Sequence, residues 1–264
     1  MTDSGIRGRW ALVTGASSGL GVDFARELAR RGANTILVAR REDRLRELSA
    51  ELRREHDVET DVVATDLAVG DAAQTLYRRM SEEGRHVDIL INNAGFGAHR
   101  VFLDIPREKD GEMIALDVAA VVHLTKLFVP DMVERGFGRV LHVASTAAYQ
   151  PVPTYAVYGA AKAFVLSFGE AVNHELRGSG VTCTVVSPGV TATEFQEVAG
   201  HEYTSFMRLA QMKSEDVARI GINAMLRGRS TIITGFHNSL LAWSVRLAPR
   251  RLATAVAGFF MGGG

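Results

Sequence analysis

This 264-residue chain has a single cysteine, Cys183. A lone thiol cannot close an intramolecular disulfide, which excludes a disulfide-stapled fold and fits a cytoplasmic setting. In the run VTCTVVSPG, Cys183 reads as a small buried strand residue. Net charge is also missing, because 30 Lys+Arg balance 30 Asp+Glu. No long-range field toward nucleic acid or acidic surfaces is implied, and no nucleic-acid partner is expected. There is no uninterrupted apolar run of about 18 residues, so no membrane-spanning helix is expected. The opening MTDSGIRGRW has no apolar core of the kind a signal peptide needs. His99, His123, His174, His201 and His237 show no metal-ligand spacing, and His142 in RVLHVAS reads as a strand residue; no catalytic metal is expected.

What is present is ample core material, with 47% of residues hydrophobic. That and the length fit one large α/β domain. Apolar, β-rich runs alternate with helical patterns. The strand candidates are Trp10–Thr14, Asn34–Ala39, Val58–Ala64, Asp88–Asn92, Gly138–Ala144, Val181–Ser187 and Ser230–Thr234. Helices are predicted near 19–31, 42–55, 71–84, 107–134, 155–177 and 214–227, with Gly32 closing the first and Ser214 as N-cap of the last. Such alternation implies a doubly wound parallel sheet with helices on both faces. The expected organisation is a Rossmann-like unit over 1–235 and a C-terminal appendage over 236–264 of the same domain.

The first strand runs into Thr14-Gly15-Ala16-Ser17-Ser18-Gly19-Leu20-Gly21. Glycines at 15, 19 and 21 let the backbone turn tightly and approach a pyrophosphate, while the next helix aims its amides and dipole at the phosphates. The second strand ends in Ala39-Arg40-Arg41, where an NAD-binding unit usually carries an acid for the ribose hydroxyl. Arg40 is the candidate reader of a 2′-phosphate, in a forked charge-assisted geometry. This favours NADP(H), with NAD(H) as the second candidate; the other reading is that both arginines open a surface helix. Asp66, at the end of the third strand, is a candidate for the adenine amine or a plain turn acid.

Tyr158 and Lys162 stand one helical turn apart on the same face. Alone, that is an ordinary surface pair. An ammonium beside a phenol favours the phenolate and pulls its pKa down toward working pH, which makes a proton donor and acceptor. Ser145, thirteen positions upstream of Tyr158, supplies a hydroxyl to hold the substrate oxygen.

Together these residues resemble the short-chain dehydrogenase/reductase family, in its single-domain branch. The carriers are TGASSGLG, Asp66-Leu67, Asn92-Asn93-Ala94-Gly95, then Ser145, Tyr158 and Lys162, and finally Pro188-Gly189-Val190-Thr191-Ala192-Thr193, in the family's order over roughly 8 to 235. The resemblance implies a seven-stranded sheet, NAD(P)-dependent interconversion of a carbonyl and an alcohol, and a homodimer or homotetramer. It implies that Tyr158 donates the proton, that Ser145 orients the carbonyl oxygen, and that Lys162 tunes Tyr158 and binds the nicotinamide ribose. It also places Thr193 and the Val190 backbone on the carboxamide and Asn93, Ala94 and Gly95 against the adenosine ribose. In the family an Asn on the helix after the fourth strand supports a proton-relay water. Here Asp117 aligns with it, a departure that puts an extra carboxylate near Lys162 and predicts an altered pH profile.

On the substrate side, Phe195, Tyr203, Phe206 and Met207 are candidates for an apolar lid or for a plain surface helix, and Phe96 and Phe102 add apolar surface near the cleft. The expected substrate is a hydrophobic ketone or secondary alcohol. The tail, with Arg246, Arg250 and Arg251 among apolar residues and Pro249 splitting two helices, suits a peripheral membrane contact, a partner subunit or cover for the substrate mouth. The competing functions are a cofactor-binding regulatory protein without turnover and a membrane-surface protein.

Overall fold

The computed structural model describes residues 5–195, 199–200 and 211–260, the side chains of 246 and 260 apart. Seven strands form one sheet: β1 (Trp10–Thr14), β2 (Asn34–Ala39), β3 (Thr60–Ala64), β4 (Val87–Asn92), β5 (Gly138–Val143), β6 (Val181–Ser187) and β7 (Thr231–Ile233). Their order is β3-β2-β1-β4-β5-β6-β7, and every pairing is parallel. Parallel strands covered on both faces need continuous apolar runs, and Leu12, Val13, Leu37, Leu90 and Val185 are all fully buried. The order reverses direction between β1 and β4. The crevice beyond the carboxyl ends of those two strands is where such sheets bind ligands.

One face packs on α1 (Gly19–Arg30) and α2 (Glu42–His56), whose Phe24, Leu28, Leu45 and Leu52 join Val13 and Ile91 in one cluster. The other face packs on α3 (Ala72–Glu82) and α5 (Ala120–Glu134), through Leu76, Met80, Leu124 and Phe128. On the same side α6 (Ala156–Glu175) packs on β5 and β6, and α4 (Arg107–Ile114) packs on α6. On α6, Gly169 admits the strands closely: a Cβ there would strike Val185. Further α-helices among the described residues are α7 (Ser214–Leu226), α8 (Phe236–Ser244) and α9 (Arg250–Phe260).

Two sequence expectations need correction. The helix predicted over 107–134 is not uniform: α4 passes through a π-helical turn, Ala115–Ala119, before α5. A π turn admits one extra residue per turn and re-aims the side chains it carries, and this one carries Asp117. Second, Lys213 occupies the N-cap of α7 and Ser214 is its first helical residue. The Ser214 hydroxyl bonds the Asp23 carboxylate instead, tying α7 to α1. The whole run Arg107–Glu134 is long and apolar enough to cross a membrane. Here it is a core helix, because Leu124, Phe128 and Met132 pack into the sheet and Asp117 is fully buried. Gly32 does follow α1 with φ +83°, as a left-handed closing residue should.

Candidate active site

The turn after β1 is shaped by contacts that leave no room for side chains. Gly15 and Gly19 have φ of +68° and +53°, a region that costs other residues strain. A Cβ on Gly21 would collide with the Gly15 carbonyl, and one on Gly15 would come 2.8 Å from Asn93 Nδ2. Thr14 fixes the neighbouring strand end: its Oγ1 donates to the Ile91 carbonyl at 3.1 Å and accepts from the Asn93 and Ala94 amides, both at 2.9 Å. Asn93 Nδ2 donates to the Thr14 carbonyl at 2.9 Å. Asn93 therefore braces the turn from beneath. Gly95 borders the buried carboxylate, since a Cβ there would come 2.7 Å from Asp117 Oδ1.

The helix α1 starts at Gly19 behind an extended Ser18, whose side chain makes no capping bond, and Leu20 packs against the core. Its first amides are thus left for an incoming group. This cradle fits a dinucleotide pyrophosphate.

At the end of β2 the two arginines diverge. Arg40 is 76% exposed and, among the described residues, makes only a 3.7 Å pair with Asp66. Asp66 also accepts from the Ala68 amide at 3.0 Å, so it forms a turn, and Leu67 beside it is buried. Arg41 turns inward: Nε donates to Ser17 Oγ and Nη2 to the Ser17 carbonyl, both at 3.2 Å. Its Nη1 donates to Glu194 at 3.1 Å, and Arg44 meets the other oxygen of Glu194 at 2.6 Å. Sequence reasoning noted both Arg40 and Arg41, singled out Arg40, and did not name Arg44. The position of Arg44 one helical turn beyond Arg40 was the available signal.

After β6, Pro188-Gly189 turns the chain across the sheet end. The Thr191 hydroxyl donates to the Gly189 carbonyl at 3.0 Å, and the Val190 carbonyl accepts from the Met212 amide at 2.9 Å. Thr193 faces the nucleotide turn, where a Cβ on Gly19 would lie 3.0 Å from its own Cβ.

The catalytic candidates converge from three elements. Ser145 follows β5, its Oγ accepting from the Ala147 amide at 3.1 Å, and its hydroxyl also bonds Tyr158 on α6. Lys162, one turn along α6, is buried with Nζ 5.6 Å from the Tyr158 ring centre. That ammonium donates to the Val143 carbonyl at 3.2 Å and pairs with Asp117 Oδ2 at 3.2 Å. Asp117 Oδ1 accepts from the Phe96 amide at 3.1 Å. The alignment of Asp117 with the relay position thus has a geometric counterpart beside Lys162.

Charges in this cluster are set by burial against partners. Burial would lower the Lys162 pKa, but Asp117 and Tyr158 hold it above the usual lysine value. Burial pushes the Asp117 carboxyl up, against the pull of Lys162 and the Phe96 amide. Tyr158 departs from the sequence expectation: burial raises its pKa, Lys162 and Ser145 lower it, Asp117 raises it again, and the net direction is up. Burial explains the difference, since it outweighs the pull of Lys162 and Ser145, and Asp117 adds to it by opposing part of the charge that Lys162 presents.

Aromatic groups enclose the phenol. Tyr155 and Phe195 lie 5.6 and 5.3 Å from the Tyr158 ring, with Val152, Ala147 and Ala199 in the same apolar cluster. Gly97 forms one wall, because a Cβ there would press on Phe195, Tyr155 and Tyr158. Sequence reading foresaw Phe195 but not Tyr155 or Gly97. Tyr203, Phe206 and Met207 lie outside the described residues. Cys183 and His142 are buried strand residues: burial pushes the thiol up to about 12 and the imidazole down to about 3.

A family model described as short chain dehydrogenase matches residues 9–204. The chain is 33% identical over 195 residues to the very-long-chain 3-oxoacyl-CoA reductase of Rattus norvegicus, covering 72% of this chain and 62% of that protein. It therefore spans less than two thirds of the length of that relative. Among solved structures, a short-chain dehydrogenase from Sphingobium yanoikuyae in complex with NADPH superposes with a TM-score of 0.82 at 31% identity, over 92% of this chain and 94% of that one. A short-chain dehydrogenase/reductase from Burkholderia phymatum in complex with NAD gives 0.80 at 27% identity, over 92% and 93%. With the sheet order, the glycine turn and the Ser145–Tyr158–Lys162 cluster, these matches show that the chain belongs to the short-chain dehydrogenase/reductase family of nicotinamide-dependent oxidoreductases.

Proposed function

We propose that this protein is an NADP(H)-dependent reductase of a hydrophobic ketone, interconverting it with the secondary alcohol. The observation that carries this reading is the Tyr158 phenol, bonded to Ser145 and walled by Tyr155, Phe195, Val152 and Gly97. A neutral phenol donates a proton to a developing alkoxide, which is the stronger base, and Ser145 holds the carbonyl oxygen within its reach. Apolar walls exclude water, which strengthens both hydrogen bonds. The cofactor, when bound, supplies or accepts the hydride.

On the nucleotide side, the Gly15–Gly21 turn with Ser17, Ser18 and Leu20 would hold the pyrophosphate. Arg40 and Arg41 would take the 2′-phosphate, since no acid stands at the end of β2. Asp66 and Leu67 would border the adenine, Ala94 and Gly95 the ribose, and Pro188, Gly189, Val190, Thr191 and Thr193 the nicotinamide side. The similarity to a very-long-chain 3-oxoacyl-CoA reductase favours a long-chain acyl or comparably apolar substrate. Residues 1–235 form the catalytic unit and 236–264 an appendage on it. A solvent-facing apolar hollow lined by Ile114, Val118, Val157, Ala160 and Phe164 suits a second copy of the chain, as a homo-oligomer.

The test is NADPH oxidation against a panel of long-chain 3-oxoacyl thioesters, steroidal ketones and short polar ketones. The apolar members should turn over. Tyr158→Phe should lose about 10²- to 10⁴-fold in kcat with cofactor binding retained. Turnover confined to polar ketones, or undiminished in Tyr158→Phe, would refute the proposal.

A further inference from the structure

The last two helices are amphipathic with the wrong side out. On α8 and the turn after it, Phe236, Leu240, Trp243 and Leu247 recur at i, i+4, i+7 and i+11, which is one helical stripe. All four face solvent, Phe236 at 78% and Leu247 at 71% exposure. On α9, Leu252, Val256 and Phe259 recur at i, i+4 and i+7, and Phe259 is 81% exposed. The sides turned to the body are made of alanines: Ala242, Ala253 and Ala257 are buried. Burying Ala while exposing Leu, Trp and Phe is the reverse of what core packing selects. The large side chains are therefore placed for something outside the chain.

Charge narrows what that is. No Asp or Glu follows Asp216 in the sequence, and the segment 236–264 carries Arg246, Arg250 and Arg251. Arg250 and Arg251 are exposed at the start of α9, two and one positions before Leu252. This local excess stands in a chain whose formal net charge is zero. Apolar stripes bearing a Trp, bordered by arginines and free of acids, match an anionic bilayer surface: the rings and leucines enter the acyl boundary and the guanidiniums meet headgroup phosphates. The apolar hollow on α4 and α6 is a separate surface, and it has no charged lining residue.

The tail also lies at the catalytic end. Tyr149 and Pro151, just beyond Ser145, line a cleft with Val245, Ala248, Arg250 and Ala253. Asn238 of α8 packs on Gly189 of the turn after β6.

We propose that α8 and α9 form an interfacial dock for anionic membrane surfaces, which holds the catalytic end of the protein against the lipid. The dock does not depend on the substrate assigned above and stands even if that assignment fails.

The experiment is co-sedimentation of the full chain with vesicles of phosphatidylcholine alone or mixed equally with phosphatidylglycerol. Binding should require the anionic lipid and weaken as salt rises. Each of Arg250→Gln and Arg251→Gln should lower partitioning about five-fold. Leu240→Ser with Trp243→Ser should reduce it at least ten-fold at unchanged thermal stability, because both residues are solvent-exposed. The chain has two tryptophans, so in Trp10→Phe the emission of Trp243 should shift to the blue on binding and be quenched by bromine near the top of the acyl chain. Equal binding to both vesicles, no binding, or a fixed Trp243 emission overturns the proposal. So does a dimer that the Leu240/Trp243 variant dissociates, which would assign the stripe to a second copy of the chain.

Discussion

Lys162 and Asp117 form a buried ion pair 3.2 Å apart, with the ammonium 5.6 Å from the centre of the Tyr158 ring. One carboxylate thus opposes, at close range, the cation that would otherwise favour a phenolate. Asp117 raises both the Lys162 and the Tyr158 pKa. Replacing it by the isosteric amide removes that charge while leaving Oδ1 able to accept from the Phe96 amide. In Asp117→Asn both groups move down. Reduction needs the neutral phenol, so the alkaline fall of kcat should begin at lower pH than in the parent. A pH–rate profile with an unmoved alkaline limb would show that Asp117 does not act on Tyr158.

Glu194 occupies the guanidiniums nearest the nucleotide turn, at 3.1 Å from Arg41 and 2.6 Å from Arg44. A 2′-phosphate entering there would compete with this carboxylate for Arg41. Exposed pairs of this kind contribute about 0.2–1 kcal/mol. Glu194→Gln should therefore lower the KM for NADPH about two- to five-fold and leave that for NADH unchanged. Arg41→Ala should raise the NADPH value more than Arg40→Ala does, because Arg41 is already held at Ser17 while Arg40 points to solvent. A larger effect of Arg40→Ala than of Arg41→Ala would return the assignment to Arg40.

The strands, their parallel order and the Ser145–Tyr158–Lys162 cluster were legible because each has a local signature: apolar runs, a glycine turn, and two side chains one helical turn apart. What escaped depends on distant partners. Nothing near Arg41 in sequence announces Glu194, which lies 153 positions away. The Tyr158 pKa followed the wrong sign because burial and the Asp117 charge are properties of the packed site. Gly97 and Tyr155, the latter read only as the start of a helix, had no local signature that tied them to the site until the fold brought Phe195 against them. The π turn has no period of its own, and a continuous helix was the natural reading of 107–134.

Gly21→Ala should abolish cofactor binding and lower stability. The added methyl would meet the Gly15 carbonyl, a backbone atom with no rotamer to move, and Asn93 Nδ2 at 2.8 Å. The turn would have to open, which breaks the Asn93 bond to the Thr14 carbonyl. Gly70→Ala is the matched control: its φ is +50° but nothing lies within 4 Å of the new Cβ. Fluorescence titration with NADPH should show binding lost in the first variant and kept in the second.

Glu27 joins α1 to α7 through Arg31, which donates to Glu27 and to Asn223 Oδ1, the latter at 2.8 Å. Burial raises the Glu27 pKa, but the hydrogen bonds from Arg30 and Arg31 and their charges outweigh it, so the folded value lies below the usual glutamate value. A depressed acid pKa contributes stability that is present above the unfolded value and is lost as pH falls through the folded one. Glu27→Gln should thus cost about 2 kcal/mol at neutral pH, the scale of hydrogen bonds to charged groups. The cost should shrink on acidification below the unfolded glutamate pKa of about 4.3. Urea unfolding at neutral and acidic pH measures both quantities. A cost that stays constant between them would mean that Glu27 holds the two helices by shape and neutral hydrogen bonding rather than by its charge.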